Sequence, residues 1–305
     1  MVVAATQLRR PSERKDKMKI SVIGGDLRIV KLVQMLSEDG FDIKTFALEK
    51  AENISKLKNV KQCDNLKDVM EEADIIVGPI PLSSNKKDIN TPFSNEEVSL
   101  EELINSIDKD KLFIAGSLSE EAVSLLESRK IKVIDLLKRE ELAVLNTIST
   151  AEGAIQIAME ETYKTIHGSK VLVVGFGRIG KILAKMLQGI GAKVYCEARK
   201  NSDLAWIKAY GYSSVHLSEL SDKIGDFDII INTVPALVID KEKVDKINED
   251  CVIIDLASNP GGVDKEAVKR RGLKLIWALS LPGKVAPITS AEFIKETIYN
   301  ILKEL

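Results

Sequence analysis

The segment Val171-Leu-Val-Val174-Gly175-Phe-Gly177-Arg-Ile-Gly180 constrains this chain more than any other. A short apolar strand runs into a complete GxGxxG. A helical pattern follows, with Ile179, Ile182, Leu183, Met186, Leu187 and Ile190 on one face. Each glycine has its own physical reason. Gly175 permits a tight turn, Gly177 lets the backbone approach a pyrophosphate, and Gly180 lets the helix pack on the strand. The helix N-terminus then offers unpaired N–H groups and a partial positive charge to phosphates. GxGxxG alone is a weak signal. Here a strand precedes it, a helix follows, and a second strand arrives on schedule at Lys193–Cys196, so the segment reads as dinucleotide-binding. The expected contacts are Gly175, Phe176, Gly177, Arg178, Ile179 and Gly180.

Ligands of such units sit beyond the carboxyl ends of the parallel strands. The second strand usually ends in Asp or Glu, which holds the ribose hydroxyls of NAD. That position falls here at Ala198, followed by Arg199 and Lys200. Two cations and a missing carboxylate favour the 2′-phosphate of NADP. Glu197 keeps NAD open if the register moves by one residue. The fourth strand ends in Asn232-Thr233-Val234-Pro235 and the fifth in Asp255-Leu256-Ala257. Both endings are expected to border the nicotinamide half of the cofactor. Asp255 has a second reading, as a residue that only caps its loop.

The same alternation of strand and helix fills the N-terminal half. Lys19–Ile23, Phe41–Phe46, Asp74–Val77, Lys111–Ala115 and Lys132–Ile134 read as strands, with helices such as Leu27–Leu36 between them. This pattern predicts a parallel sheet covered on both faces. Residues 78–94, rich in Pro, Ser and Asn, form a loop long enough to be functional or mobile. Ser149–Ile166 reads as one long helix, capped by Ser149 or Thr150. Beyond it, Asp228–Asn232, Cys251–Asp255 and Lys274–Ile276 complete a second α/β series, and Ile288–Leu305 reads as a terminal helix.

The expected fold class is therefore α/β with two domains: a doubly wound, flavodoxin-like N-terminal domain and an NAD(P)-binding Rossmann domain. Residues 18–145 form the substrate domain, joined by the terminal helix 288–305. Residues 146–167 form the interdomain helix and 168–287 the Rossmann domain, with a cleft expected between the two. The length of 305 residues agrees, at roughly 150 residues per domain.

Composition excludes several function classes. Lys+Arg number 44 and Asp+Glu 46, a net charge of −2, so no global positive field draws the chain to nucleic acid or an anionic membrane. No apolar run approaches a bilayer-spanning length. Cys63, Cys196 and Cys251 are odd in number and widely spaced in apolar runs, which predicts buried reduced thiols. No CxxC occurs and the histidines, His167 and His216, are distant from any cysteine in sequence, so no metal is expected. Met1 to Lys17 lacks the order of a signal peptide and reads as an upstream extension or disordered arm.

Taken together, these segments resemble the dipicolinate synthase A-subunit family. The resemblance is carried by Gly24-Gly-Asp-Leu-Arg28, Thr91-Pro-Phe-Ser-Asn-Glu-Glu-Val98, Asn146-Thr-Ile-Ser-Thr-Ala-Glu-Gly153, Thr165-Ile-His-Gly168, GFGRIG, Ala198-Arg199, Asn232-Thr-Val-Pro235, DLASNPGG and Leu281-Pro-Gly-Lys-Val-Ala-Pro287. It covers nearly all of residues 18–305. The resemblance implies a cytoplasmic oxidoreductase of the mother cell in sporulating bacteria, working with the flavoprotein-like B-subunit of dipicolinate synthase. The implied reaction turns 2,3-dihydrodipicolinate, or its hydrated precursor 4-hydroxytetrahydrodipicolinate, into pyridine-2,6-dicarboxylate, with NADP as the cofactor. A homo-oligomer is expected, since such enzymes usually assemble symmetrically.

A substrate with two carboxylates calls for cations and oriented donors. Arg28 can grip a carboxylate through two parallel bonds, or pair with Asp26 instead. Ser149 and Thr150 are expected at a helix N-terminus, which is an anion site. Glu152, in the same first turn, is a candidate proton acceptor or a partner of the helix dipole. Ser83 and Ser84 in the 78–94 loop are weaker candidates. Lys284, after Gly283, is a candidate for both binding and catalysis. His167 and His216 are expected to be structural. Two alternatives stay open: another NADP-dependent 2-hydroxyacid-type dehydrogenase, and an NADPH-sensing module of a two-subunit enzyme.

Overall fold

The computed structural model describes residues 18–305, so the reading of residues 1–17 lies outside the described residues. The chain divides into two compact units. The described part of the first comprises 18–142 and Pro287–Leu305; the second is Ala143–Ala286.

The first unit carries β1 (Lys19–Ile23), β2 (Asp42–Phe46), β3 (Val60–Gln62), β4 (Ile75–Val77), β5 (Leu112–Ala115) and β6 (Lys132–Asp135). They form a six-stranded sheet in the order β3-β2-β1-β4-β5-β6, with every neighbouring pair parallel. The second unit carries β7 (Lys170–Val174), β8 (Lys193–Ala198), β9 (Ser213–His216), β10 (Ile229–Asn232), β11 (Val252–Asp255) and β12 (Lys274–Trp277). Its sheet is also parallel, in the order β12-β11-β10-β7-β8-β9. Read within each unit, both orders are the 3-2-1-4-5-6 of the doubly wound dinucleotide fold. The two-domain α/β expectation holds. The first sheet departs from a flavodoxin-like order by the extra edge strand β3, whose three residues contain only one apolar side chain and give no readable period.

The strands are apolar runs because both faces of each sheet are covered. In β7, Val171 and Val173 enter one core while Leu172 and Val174 enter the other, and β10 divides Ile229 and Ile231 from Ile230 in the same way. Each such aliphatic side chain contributes about 1.5–3 kcal/mol by leaving water. Cys196 and Cys251 are buried, and burial pushes both thiols up to about 12. Cys63 departs from expectation: it follows the short edge strand β3 and is only half-buried.

The terminal helix, Pro287–Glu304, belongs to the first unit. Its Ala291, Ile294, Ile298 and Ile301 enter the same core as Ile29, Val33 and Leu36 of the helix Leu27–Glu38. Asp39 fastens the pair, accepting from Lys295 Nζ at 3.0 Å and from Tyr299 Oη at 2.5 Å.

The long central helix runs from Glu140 to Glu161, not from Ser149 to Ile166. Two acidic residues, Glu140 and Glu141, open it and complement its dipole. Thr150 is an interior residue whose hydroxyl donates to the Asn146 carbonyl at 2.8 Å, one turn back. Ser149, Thr150 and Glu152 therefore do not stand at a helix N-terminus. The 78–94 loop is also more built than its composition suggests. Residues Ser83 and Ile89 form an antiparallel bridge, and Asn90 donates through its side chain to the Pro81 carbonyl at 2.6 Å.

Candidate dinucleotide-binding site

Strand β7 delivers its chain into the turn at Gly175, where φ is +91°, a conformation that side-chain-bearing residues rarely adopt. Space forbids a side chain as well: a Cβ there would stand 2.6 Å from Val234 Cγ2 and 2.7 Å from Thr233 Oγ1. At Gly180 a Cβ would stand 2.1 Å from the Gly175 carbonyl oxygen, so the helix Arg178–Gly189 lies directly against the turn. Gly177 is different. Nothing lies within 4 Å of a Cβ built there, so its face is open to a ligand. Gly177 is the N-cap of that helix, makes no side-chain cap, and no acidic residue follows in the first turn. This helix N-terminus is thus suited to an anion.

The flanking residues divide by role. Phe176 is buried, with its ring 6.2 Å from Tyr210 and 6.3 Å from Tyr212, so it anchors the turn in an aromatic cluster. Ile179 is half-buried against the core and Arg178 is exposed. Strand β8 ends at Ala198, which pairs with His216, and Arg199 and Lys200 follow as exposed cations. His216 lies close by: its Nδ1 is 2.6 Å from Ser218 Oγ and its Nε2 is 3.2 Å from the Arg199 carbonyl oxygen. His167 packs just beyond the far end of the helix Arg178–Gly189, where a Cβ on Gly191 would meet its ring at 2.2 Å.

Glu197 is the residue that sequence reasoning undervalued. It is 2% exposed. The Gly175 N–H is shared between the Glu197 carbonyl and its side-chain Oε2, each at 3.2 Å. Oε1 is buried without a hydrogen-bond partner. Burial pushes this carboxyl above the usual carboxylate range, against the Gly175 amide and the nearby Arg199 and His216. Its place next to the last residue of a strand that points at the turn was the available signal.

The β10 and β11 ends form one hydrogen-bonded unit. Asp255 is fully buried; its Oδ1 accepts from Asn232 Nδ2 at 2.7 Å and from Ala257 N at 3.0 Å, and its Oδ2 from Gly262 N at 2.8 Å. Asn232 also donates to the Val234 carbonyl at 3.0 Å and accepts from the Val234 amide at 3.1 Å. Asp255 therefore builds the Leu256–Ala257 loop and holds the Thr233–Val234–Pro235 segment over Gly175. Its carboxylate is used inside the protein, as a residue that caps its loop. The site suits a dinucleotide: an open Gly177 at a helix N-terminus, two exposed cations at Arg199 and Lys200, and an unpartnered buried acceptor oxygen at Glu197.

The substrate candidates are scattered more than the sequence suggests. In the first unit, Arg28 is buried and committed: Nε and Nη2 donate to Asp26, at 3.0 and 2.8 Å, and Nη2 also donates to the Ile80 carbonyl. It ties the helix-capping Asp26 to the Ile80 carbonyl and does not stand free for a carboxylate. Ser83 donates to Asn85 Oδ1 at 3.2 Å and Ser84 to Asn90 Oδ1 at 2.6 Å; both line a depression in which Glu120 and Glu121 stand against the single cation Lys86. In the second unit, Ser149 is buried and its Oγ has no hydrogen-bond partner. Glu152 is exposed on the central helix. The next residue, Gly153, meets Leu281, whose side chain would lie 3.2 Å from a Cβ there. Leu281 starts the short helix Leu281–Val285 that presents the exposed Lys284. Structure thus joins the TAEG and LPGK segments, which are distant in sequence.

Comparison with known proteins completes the picture. Residues 19–137 match the family model of the dipicolinate synthase A-subunit N-terminal domain, and residues 133–270 match "D-isomer specific 2-hydroxyacid dehydrogenase, NAD binding domain". The chain is 31% identical to the dipicolinate synthase A-subunit of Bacillus subtilis over 94% of its own length and 97% of that protein. The crystal structure of the Bacillus subtilis A-subunit superposes with a TM-score of 0.86, covering 94% of this chain and 96% of that one at 31% identity. The A-subunit structure from Bacillus halodurans gives the same TM-score, 0.86, at 30% identity, covering 94% of this chain and 98% of that one. A dinucleotide-type turn set in a full-length likeness of this kind makes the chain an NAD(P)-dependent oxidoreductase belonging to the dipicolinate synthase A-subunit family.

Proposed function

We propose that this chain is the dehydrogenase component of a two-subunit dipicolinate synthase, oxidising 2,3-dihydrodipicolinate, or 4-hydroxytetrahydrodipicolinate after loss of water, to pyridine-2,6-dicarboxylate. The observation that carries this reading is the 31% identity to a dipicolinate synthase A-subunit, spanning nearly the whole of both chains. The cofactor is NADP, supported by Ala198 at the strand end and by the exposed Arg199 and Lys200 behind it. The partner is a flavoprotein-like second subunit, and the setting is the mother-cell cytoplasm during sporulation.

When bound, the nicotinamide supplies the hydride acceptor. The chain's own residues bind and orient. The Gly177–Arg178–Ile179 amides hold the pyrophosphate, and Thr233 and Val234, fixed by Asn232, flank the turn. Loss of one hydride and one proton makes the ring aromatic, so the step is downhill and the protein mainly needs to orient the reacting carbon. We assign Lys284 to a substrate carboxylate and the unpartnered Ser149 hydroxyl to a substrate oxygen. The exposed Glu152 carboxylate takes the proton.

The test is product identity. Protein, NADP and 4-hydroxytetrahydrodipicolinate are incubated with and without the second subunit, and NADPH and pyridine-2,6-dicarboxylate are quantified together. Equimolar amounts support the reading. Reduced nucleotide without the pyridine product identifies another dehydrogenase, and tight NADPH binding with no turnover in either mixture identifies a sensor.

A further inference from the structure

Glu197 carries an unusual combination of features for a site that has to accept an anionic ligand. It is a carboxyl, it is 2% exposed, and one of its oxygens is buried with no partner. It stands beside the last residue of β8, with its other oxygen taking the Gly175 amide of the phosphate-binding turn at 3.2 Å. A buried polar atom normally finds a partner, and one that has none in the protein awaits a ligand atom or is costly.

We propose that Glu197 sets the nucleotide choice of this site and makes that choice depend on pH. Protonated, its Oε1 donates a hydrogen bond to a 2′-phosphate; ionised, it accepts from a 2′-hydroxyl and repels the phosphate. The inference deepens the dinucleotide reading of the Gly175–Gly180 turn and rests on it.

The surroundings favour both states being used. Two basic side chains act on Glu197: Arg199, from the segment after β8, and His216, from the end of β9. Toward β7 its neighbours in register are Val174 and the Gly175 amide, and Thr233 and Val234 around Gly175 carry no charge. Desolvation outweighs these favourable partners, so the carboxyl stays protonated to higher pH than an exposed Glu. Arg199 supplies permanent charge for a 2′-phosphate, and the Glu197 proton decides whether its own neighbour opposes that charge. NADP preference therefore strengthens as pH falls, and NAD gains as pH rises.

The 2′-phosphate also changes charge, near pH ~6, and must be separated. Glu197→Gln, whose amide cannot ionise, leaves that titration in place.

The experiment is equilibrium titration of the full chain with NADPH and with NADH, followed by nucleotide fluorescence over the whole pH range in which the chain stays folded, with the wild-type profile read against that of Glu197→Gln, which carries the phosphate titration without the carboxyl. As pH rises, the wild type is expected to lose at least about tenfold more of its NADPH-over-NADH preference than Glu197→Gln, the change equivalent to one pKa unit. His216→Gln is expected to keep the wild-type slope. Glu197→Ala, expected to follow Glu197→Gln, serves if the glutamine variant does not fold. A wild-type profile that runs parallel to that of the variant lacking the carboxyl overturns the role of Glu197. Failure of both nucleotides to bind at any pH overturns the dinucleotide reading itself, a different and recognisable result.

Discussion

Asn232 and Asp255 join the ends of two adjacent strands through a buried hydrogen bond of 2.7 Å. Together they fix the two loops that flank the glycine turn. Asp255→Ala leaves Asn232 Nδ2 and the Ala257 and Gly262 amides without their acceptor. The expected loss is about 2–4 kcal/mol, since each stranded buried donor costs roughly 1–3 kcal/mol and the loop relaxes in part. Urea denaturation measures it, and NADPH affinity is expected to fall with it because Thr233 and Val234 lose their support.

Gly177 and Gly180 predict opposite outcomes for the same substitution. Gly180→Ala drives a Cβ to 2.1 Å from the Gly175 carbonyl and is expected to destabilise the fold by about 1–3 kcal/mol or more. Gly177→Ala meets nothing within 4 Å and is expected to leave the melting temperature nearly unchanged while weakening nucleotide binding. Thermal melts and NADPH titrations on both variants check the contrast.

Arg199 is expected to act on one nucleotide more than the other. Arg199→Ala should weaken NADPH at least about tenfold, the worth of a charge-assisted contact, with a much smaller effect on NADH. Equal losses for the two nucleotides would remove Arg199 from the 2′-phosphate.

The buried Glu197 also predicts a pH-dependent stability. Its folded-state pKa is raised, so the folded chain holds the proton more tightly than the unfolded one. The stability this contributes is whole below the ordinary Glu value near pH ~4.3 and is lost as pH rises through the folded value. Glu197→Gln is not subject to that loss. The stability of the variant relative to wild type is therefore expected to increase as pH rises above the ordinary Glu value near pH ~4.3, in urea melts without nucleotide.

Much of this fold is legible in the sequence. The runs at β7, β10 and β11 are short, apolar and bounded by turn residues, so their place in a two-faced parallel sheet follows from composition and length. The glycine turn is legible because each glycine answers a separate steric demand. The start of the central helix is not. Ser149 and Thr150 look like caps, and only the structure reveals that Thr150 bonds one turn back and that the helix begins nine residues earlier. Arg28 is half legible: Asp26 is close in sequence, but the Ile80 carbonyl arrives from a distant strand end. Glu197 escapes notice for a related reason. Alternation along β8 says which residues share a face, but only the neighbouring β9 and the Gly175 turn seal that end of the sheet over the carboxyl.

The Gly175–Gly180 turn is proposed to hold the nucleotide that takes the substrate's hydride. Stopped-flow nicotinamide absorbance, with NADP, 4-hydroxytetrahydrodipicolinate and the second subunit present, tests it on the wild type and on Gly177→Val. A Cβ at Gly177 meets nothing within 4 Å, so the fold is expected to be retained, as circular dichroism will verify. NADPH formation is expected with the wild type, and a rate at least about 100-fold slower with the variant, as when reacting groups are misplaced. NADPH formation at the wild-type rate by the folded variant would contradict it.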